Sequence, residues 1–182
     1  MNFQTNWLGL LLPLMLHPAA QASVPSHCLA DEVAVVNAWM GPMRATAEGY
    51  VNARSGKFLS VCADRAEEPF QKLVYRYGAA GQVELEEVAS PTRPFAVFSR
   101  PTGRHMGQDL VYFSKGPITY YVAIAVGQGN GVSLKVFDRK KLIVDRFSGN
   151  AEGEDFSLGP AQLDVDRPRS PVVQQRQPPH AF

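Results

Sequence analysis

The residues able to do acid–base or nucleophilic chemistry in this 182-residue chain are few and scattered. Past the first 22 positions the imidazoles are His27, His105 and His180. A nucleophile and its base need only meet in space, so His105 with Asp109 and some serine is the one arrangement open to acyl transfer. Nothing in the sequence selects it. There is no HExxH, no GxSxG and no run of Cys and His at metal-ligand spacing. Glu84 and Glu86 alternate onto one face of a strand, about 7 Å apart by strand rise, a separation found in glycosidase pairs. Both look outward beside Arg76, and neither has a cause for a raised pKa. The sequence therefore reads as a non-enzyme, with no metal and no cofactor.

One cation stands apart. In "DLVYFSKGPITYYV", Asp109 to Val122, two apolar runs flank Ser114-Lys115-Gly116-Pro117. Gly116 relaxes φ and Pro117 fixes it, which makes these four residues a turn and puts Lys115 at an exposed tip. A lysine on a rigid tip suits charge-assisted hydrogen bonds to a carboxylate of another protein. It equally suits a solvated turn.

The elements that position it read as β. From about Thr46 to Phe147 the apolar pattern has period two, with turn signals every 8–12 residues or so, which predicts an all-β fold. The expected architecture is a single small antiparallel β-barrel or sandwich of about eight strands. "LVYRYGAAGQVELEEV", Leu73 to Val88, predicts a hairpin in which Tyr77 faces Val83, Tyr75 faces Leu85 and Arg76 faces Glu84 as an exposed pair. "ITYYVAIAV", Ile118 to Val126, is apolar on both faces, which suggests a central strand, or one covered on its second face by the N-terminal segment or the tail. "GQGNG", Gly127 to Gly131, reads as a turn and not a phosphate loop, since no Lys and no helix follow. "LADEVAVVNAWM", Leu29 to Met40, fits helix by its Ala and Glu and strand by Val33, Val35 and Val36. Tyr75, Tyr77, Phe113 and Tyr120 are the aromatics that would line a cavity in such a fold.

The ends bound the compartment. Residues 1–22 have the apolar core and the Ala20-Gln21-Ala22 pattern of a secretory signal. No later run is long enough to span a membrane. In the oxidising compartment this implies, Cys28 and Cys62 read as one disulfide around a loop of about 34 residues. Residues 23–147 then form the stapled domain, and 148–182, rich in proline, a disordered, flexible C-terminal tail. The net charge of +1 carries no nucleic-acid footprint. The expected location is periplasmic or secreted.

"YFSKG", Tyr112 to Gly116, resembles part of the motif of the periplasmic and membrane-bound inhibitors of c-type lysozyme. Those are small exported β-barrels with a disulfide, whose motif serine and lysine enter the lysozyme cleft and engage its acidic residues. The resemblance implies binding residues at Lys115, Ser114, Gly116 and Tyr112. The upstream half of the motif departs: Pro101-Thr102 and His105 stand where Ser-Gly and Tyr are expected, so the serine role has no carrier. The function this implies is non-enzymatic binding and inhibition of a cell-wall-degrading enzyme. The partner would be a peptidoglycan hydrolase or toxin, and the chain a lysozyme inhibitor or an immunity protein. The alternative is a periplasmic small-molecule-binding or envelope-structural β-barrel.

Overall fold

Alternating side chains lay most of this chain out as strands. A computed structural model describes residues 24–47, 49–126 and 129–179. The expected signal segment 1–22, His180 and the first half of the glycine-rich turn lie outside them. In chain order the strands are β1 (Val33–Trp39), β2 (Met43–Thr46), β3 (Gly49–Asn52), β4 (Lys57–Ala63), β5 (Leu73–Ala79), β6 (Gln82–Val88) and β7 (Phe95–Gly103). They continue with β8 (Met106–Lys115), β9 (Ile118–Val126), β10 (Gly131–Asp138), β11 (Lys141–Phe147), β12 (Phe156–Leu158) and β13 (Val173–Gln175).

One sheet has the order β12-β1-β4-β5-β6, the other β11-β10-β9-β8-β7-β13, and β2 and β3 form a hairpin of their own. Both orders are open, so the fold is a sandwich and not a closed barrel. Within residues 29–40, Val33–Trp39 is strand and not helix: β1 is held between β12 and β4, and its β-branched residues win over the helix formers. The register shifts between Ala34 and Val36, and both Val35 and Val36 are buried there. The inner faces share one core, with Val36, Leu59, Val61 and Tyr75 from the first sheet and Val97, Val111, Phe113 and Leu134 from the second.

The outward faces near the middle of each sheet are buried too, around Ser60 and Arg76 in the first and around an apolar cluster in the second. On β9, Tyr121 and Ala123 join Leu110, Tyr112 and Phe137 in a second cluster. The Tyr112 hydroxyl donates to the carbonyls of Arg176 and Gln177, each at 2.9 Å. The end of the chain therefore lies against this cluster at Tyr112. This corrects the reading of 148–182 as a flexible tail. As far as residue 179 it is docked: β12 pairs with β1, β13 adds to β7 in parallel, and Phe156, Ala161, Val165, Val172 and Val173 are buried. The composition is that of a disordered segment, but Phe156, Ala161, Val165, Val172 and Val173 each occupy a slot in the core, and the prolines at 160, 168 and 171 sit between those anchors.

The β5–β6 hairpin also departs from expectation. The turn is Ala80-Gly81, and a register shift between Tyr77 and Gly78 sets Tyr77 opposite Leu85 and Arg76 opposite Glu86. Gly78 is required at the shift, because a Cβ there would lie 2.1 Å from the Gln82 carbonyl oxygen. Arg76 is not exposed. Its side chain is 4 % accessible under the N-terminal segment, which the Cys28–Cys62 disulfide holds with a Cα–Cα distance of 5.6 Å. Closing that loop contributes roughly 3–4 kcal/mol on the chain-entropy model. Arg76 Nη1 and Nη2 both donate to the Glu32 carboxylate, Nε donates to Glu86 at 2.6 Å, and Nη1 also reaches the His27 carbonyl at 3.2 Å. Lys72 donates to Glu32 at 2.7 Å. The His27 ring stacks on Phe58 with centroids 3.9 Å apart.

Two outcomes test this architecture. Phe156→Ala should cost about 3–5 kcal/mol in urea unfolding, as for a core phenylalanine, where a solvated tail would leave stability unchanged. Burial opposes ionisation of Glu32, but hydrogen bonds from Arg76, Lys72 and the Leu29 amide outweigh it and hold the carboxyl at about 2, against 4.5 when unperturbed. A depressed native pKa gives stability that is complete above 4.5 and lost as pH falls towards 2. Denaturant melts from pH 6 to 2 should show that loss, and Glu32→Gln should lower stability at pH 6 while flattening the acid limb.

Candidate functional site

The β8–β9 hairpin is tighter than expected. Lys115 is the last residue of β8 and pairs with Ile118, leaving Gly116-Pro117 as a two-residue turn. Gly116 has φ 60°, the left-handed value that such a turn assigns to its first central residue. Val111, Phe113 and Lys115 alternate onto the inner face, so Lys115 emerges at the rim of the sandwich. Its side chain is 56 % accessible and its ammonium lies 3.3 Å from Glu87 on β6, in the other sheet. Arg93 approaches the same carboxylate at 3.4 Å. Ser114 is exposed on the outer face and shares a 3.0 Å hydrogen bond with Thr119. Tyr112 is buried, its hydroxyl engaged by the chain's end. The four residues of the expected motif thus do not present one surface: Ser114, Lys115 and Gly116 are exposed, and Tyr112 lies on the outer face, buried with its hydroxyl bonded to residues 176 and 177.

The other candidates stand apart. His105 is exposed at the tip of the β7–β8 hairpin, while Asp109 lies within β8, opposite Ser99 and Ile124. Glu84 pairs with Lys57 at 2.6 Å and Glu86 with Arg76 at 2.6 Å, so each carboxylate is neutralised separately. Burial lowers the pKa of His27, helped by the nearby Arg76 charge and against the hydrogen bond to the Gly78 carbonyl. Among the described residues, no three of His, Cys, Asp and Glu gather as metal ligands would.

What the structure does assemble lies around Tyr77. On one side is a cleft of about 680 Å³, bordered by the connection after β1, the start of β4 and the end of β11, with Lys57, Asp145 and Arg146 as its charges. On the other is an apolar groove of about 280 Å³ between the sheets, lined by Tyr75, Leu85, Tyr120, Val136 and Ile143. Tyr77 lines both. The Lys57 ammonium stands 5.7 Å from the Tyr77 ring centroid, a cation–π contact. Burial raises the Tyr77 pKa more than the Lys57 and Arg146 charges lower it, so the phenol stays protonated at neutral pH and can donate. Burial likewise pushes Tyr75 up, with Tyr77 and Tyr120 nearby adding to the shift.

Three of the four aromatics singled out in sequence therefore meet in this groove. Phe113 lies beneath it, stacked between Phe95 at 4.8 Å and Tyr120 at 5.0 Å. Period two finds the tyrosines, because they share the inner face. It does not find Lys57, Arg146 or Ile143, which join the site only through the packing of one sheet on the other.

Fold and site together define an open two-sheet β-sandwich, closed by a disulfide over one outer face, with an amphipathic trough between its sheets. Compared with family models, with curated proteins and with solved structures, the chain matches none.

Lys115→Ala tests the role of the inter-sheet pair. Arg93 remains beside Glu87 and the lysine is more than half exposed, so the variant should lose no more than about 1 kcal/mol in urea unfolding.

Proposed function

We propose that this chain is an exported, non-catalytic binding protein whose ligand enters between the two sheets. The observation that carries the reading is the trough at Tyr77, an apolar groove and a charged cleft that share that tyrosine as a wall. Ligand sites commonly combine a mostly apolar concavity with a few convergent polar groups. Export is supported by the signal pattern of residues 1–22 and by the Cys28–Cys62 disulfide. Among the described residues no helix is long and apolar enough to cross a membrane. The periplasm, or the medium outside the cell, is the compartment that fits.

A second reading, inhibition of a peptidoglycan hydrolase or a toxin, is favoured by one observation: the exposed Lys115 on a tight hairpin. Against it, that lysine already has a carboxylate partner within the fold.

The readings separate in one experiment. Protein taken from an envelope extract should carry a small molecule in native mass spectrometry. Leu85→Trp, which fills the groove, should abolish the added mass while retaining the melting transition. Protein that arrives empty yet inhibits a c-type lysozyme or wall hydrolase, with inhibition lost in Lys115→Ala, would replace the first reading by the second.

A further inference from the structure

We propose that the trough at Tyr77 takes a single-chain anionic amphiphile, its head against Arg146, Lys57 and the Tyr77 hydroxyl, its chain in the groove along Val136 and Ile143. This rests on the binding-protein reading above and adds the class of ligand.

The charge balance at the mouth selects the head. Lys57 is matched by Glu84 at 2.6 Å, and Asp145 by Lys135 at 2.8 Å. Arg146 remains. Its guanidinium donates to the Asp145 carbonyl at 3.1 Å, and it has no carboxylate partner among the described residues. Arg146 is exposed, so a neutral or cationic head leaves that charge to solvent. An anionic head accepts hydrogen bonds from it and from the phenol of Tyr77, and such charge-assisted bonds are the stronger kind.

The same sign continues along β11. Leu142 and Ile143 are 42 % and 50 % exposed, with Lys140 and Lys141 before them and Arg146 three residues on. Neither lysine has a carboxylate partner among the described residues. Cations flanking exposed apolar residues along one strand favour an anion with an apolar body. The apolar surface runs inward past Ile143 to Val136 and Leu134 instead of standing proud of the fold. A concavity suits one chain better than the flat surface of a bilayer. Tyr75, Tyr77 and Tyr120 supply the only polar atoms of the groove's side chains, all of them hydroxyls.

The test uses the full disulfide-bonded chain and calorimetric titration with three probes below their micelle concentrations: decanoate, decyl glucoside and decyltrimethylammonium. Decanoate should bind at least about tenfold more tightly than the other two, in line with a hydrogen-bonded charge. Arg146→Gln should remove that preference, weakening decanoate while leaving decyl glucoside unchanged. Ile143→Ser should weaken all binding without moving the preference. Equal binding of the three heads would overturn the assignment of an anion yet leave a binding protein standing. Binding of no decyl compound would remove both. Binding to phosphatidylglycerol vesicles with no uptake of free decanoate would overturn it in favour of a membrane surface.

Discussion

The arrangement of the first sheet depends on one buried guanidinium. Arg76 points outward from β5, and its exposure falls to 4 % because the segment before β1 crosses over it. A charge so placed is tolerable only if it is paired and hydrogen-bonded. Glu32 meets it with both carboxylate oxygens, Glu86 takes the remaining Nε, and the His27 carbonyl accepts from Nη1. The disulfide to Cys62 fixes the segment that brings Glu32 and His27 there. Such a cluster adds less to net stability than its bonds suggest, since desolvation offsets much of the attraction. Its effect is directional: any other placement of the N-terminal segment leaves a cation buried without a partner.

The second sheet has the same problem in apolar form. β8 and β9 carry apolar residues on both faces, and a sandwich can bury only one of them against its partner sheet. The end of the chain, which first enters the core at Phe156, passes Val165 and pairs as β13, then meets the outer cluster at the Tyr112 hydroxyl. Each terminal segment thus meets one outer face. This also explains why proline is abundant where the chain is ordered. The prolines at 160, 168 and 171 fall outside β12 and β13, where no ladder hydrogen bond is required of them.

How much of this was legible in the sequence follows the range of the interaction. The strands of the middle region, the inner-face tyrosines and the cysteine pair follow from period two and from compartment, both local or compositional signals. That β9 is central or covered could be read from its two apolar faces, and it lies inside its sheet, between β8 and β10. The docking of 148–179 was hidden because its anchors are single residues spaced without a period. The Arg76 cluster was hidden because the outward face of β5 looks solvated until Glu32, more than forty residues earlier, is brought onto it. A one-residue shift at Gly78 altered every pairing distal to it, and no sequence signal separates that shift from a longer loop. At the site the same divide holds: Tyr75, Tyr77 and Tyr120 are a sequence pattern, while Arg146 and Ile143 reach them only through sheet packing.

The register shift and the rim ion pairs bear directly on the trough. By moving β6 one place, the shift sets Leu85 opposite Tyr77, where both border the groove. On either side of Leu85 the strand is tied by a charge pair, Glu84 to Lys57 within its sheet and Glu87 to Lys115 across to the other. Protein interiors close-pack unless something prevents it. Here the edge strand is fixed at two points flanking Leu85, and at the far side β11 ends its sheet without a partner beyond it. The gap between them is therefore framed, not merely unfilled. Lys115, which in sequence looks like a probe extended towards another molecule, is in the fold paired with Glu87 of the facing sheet.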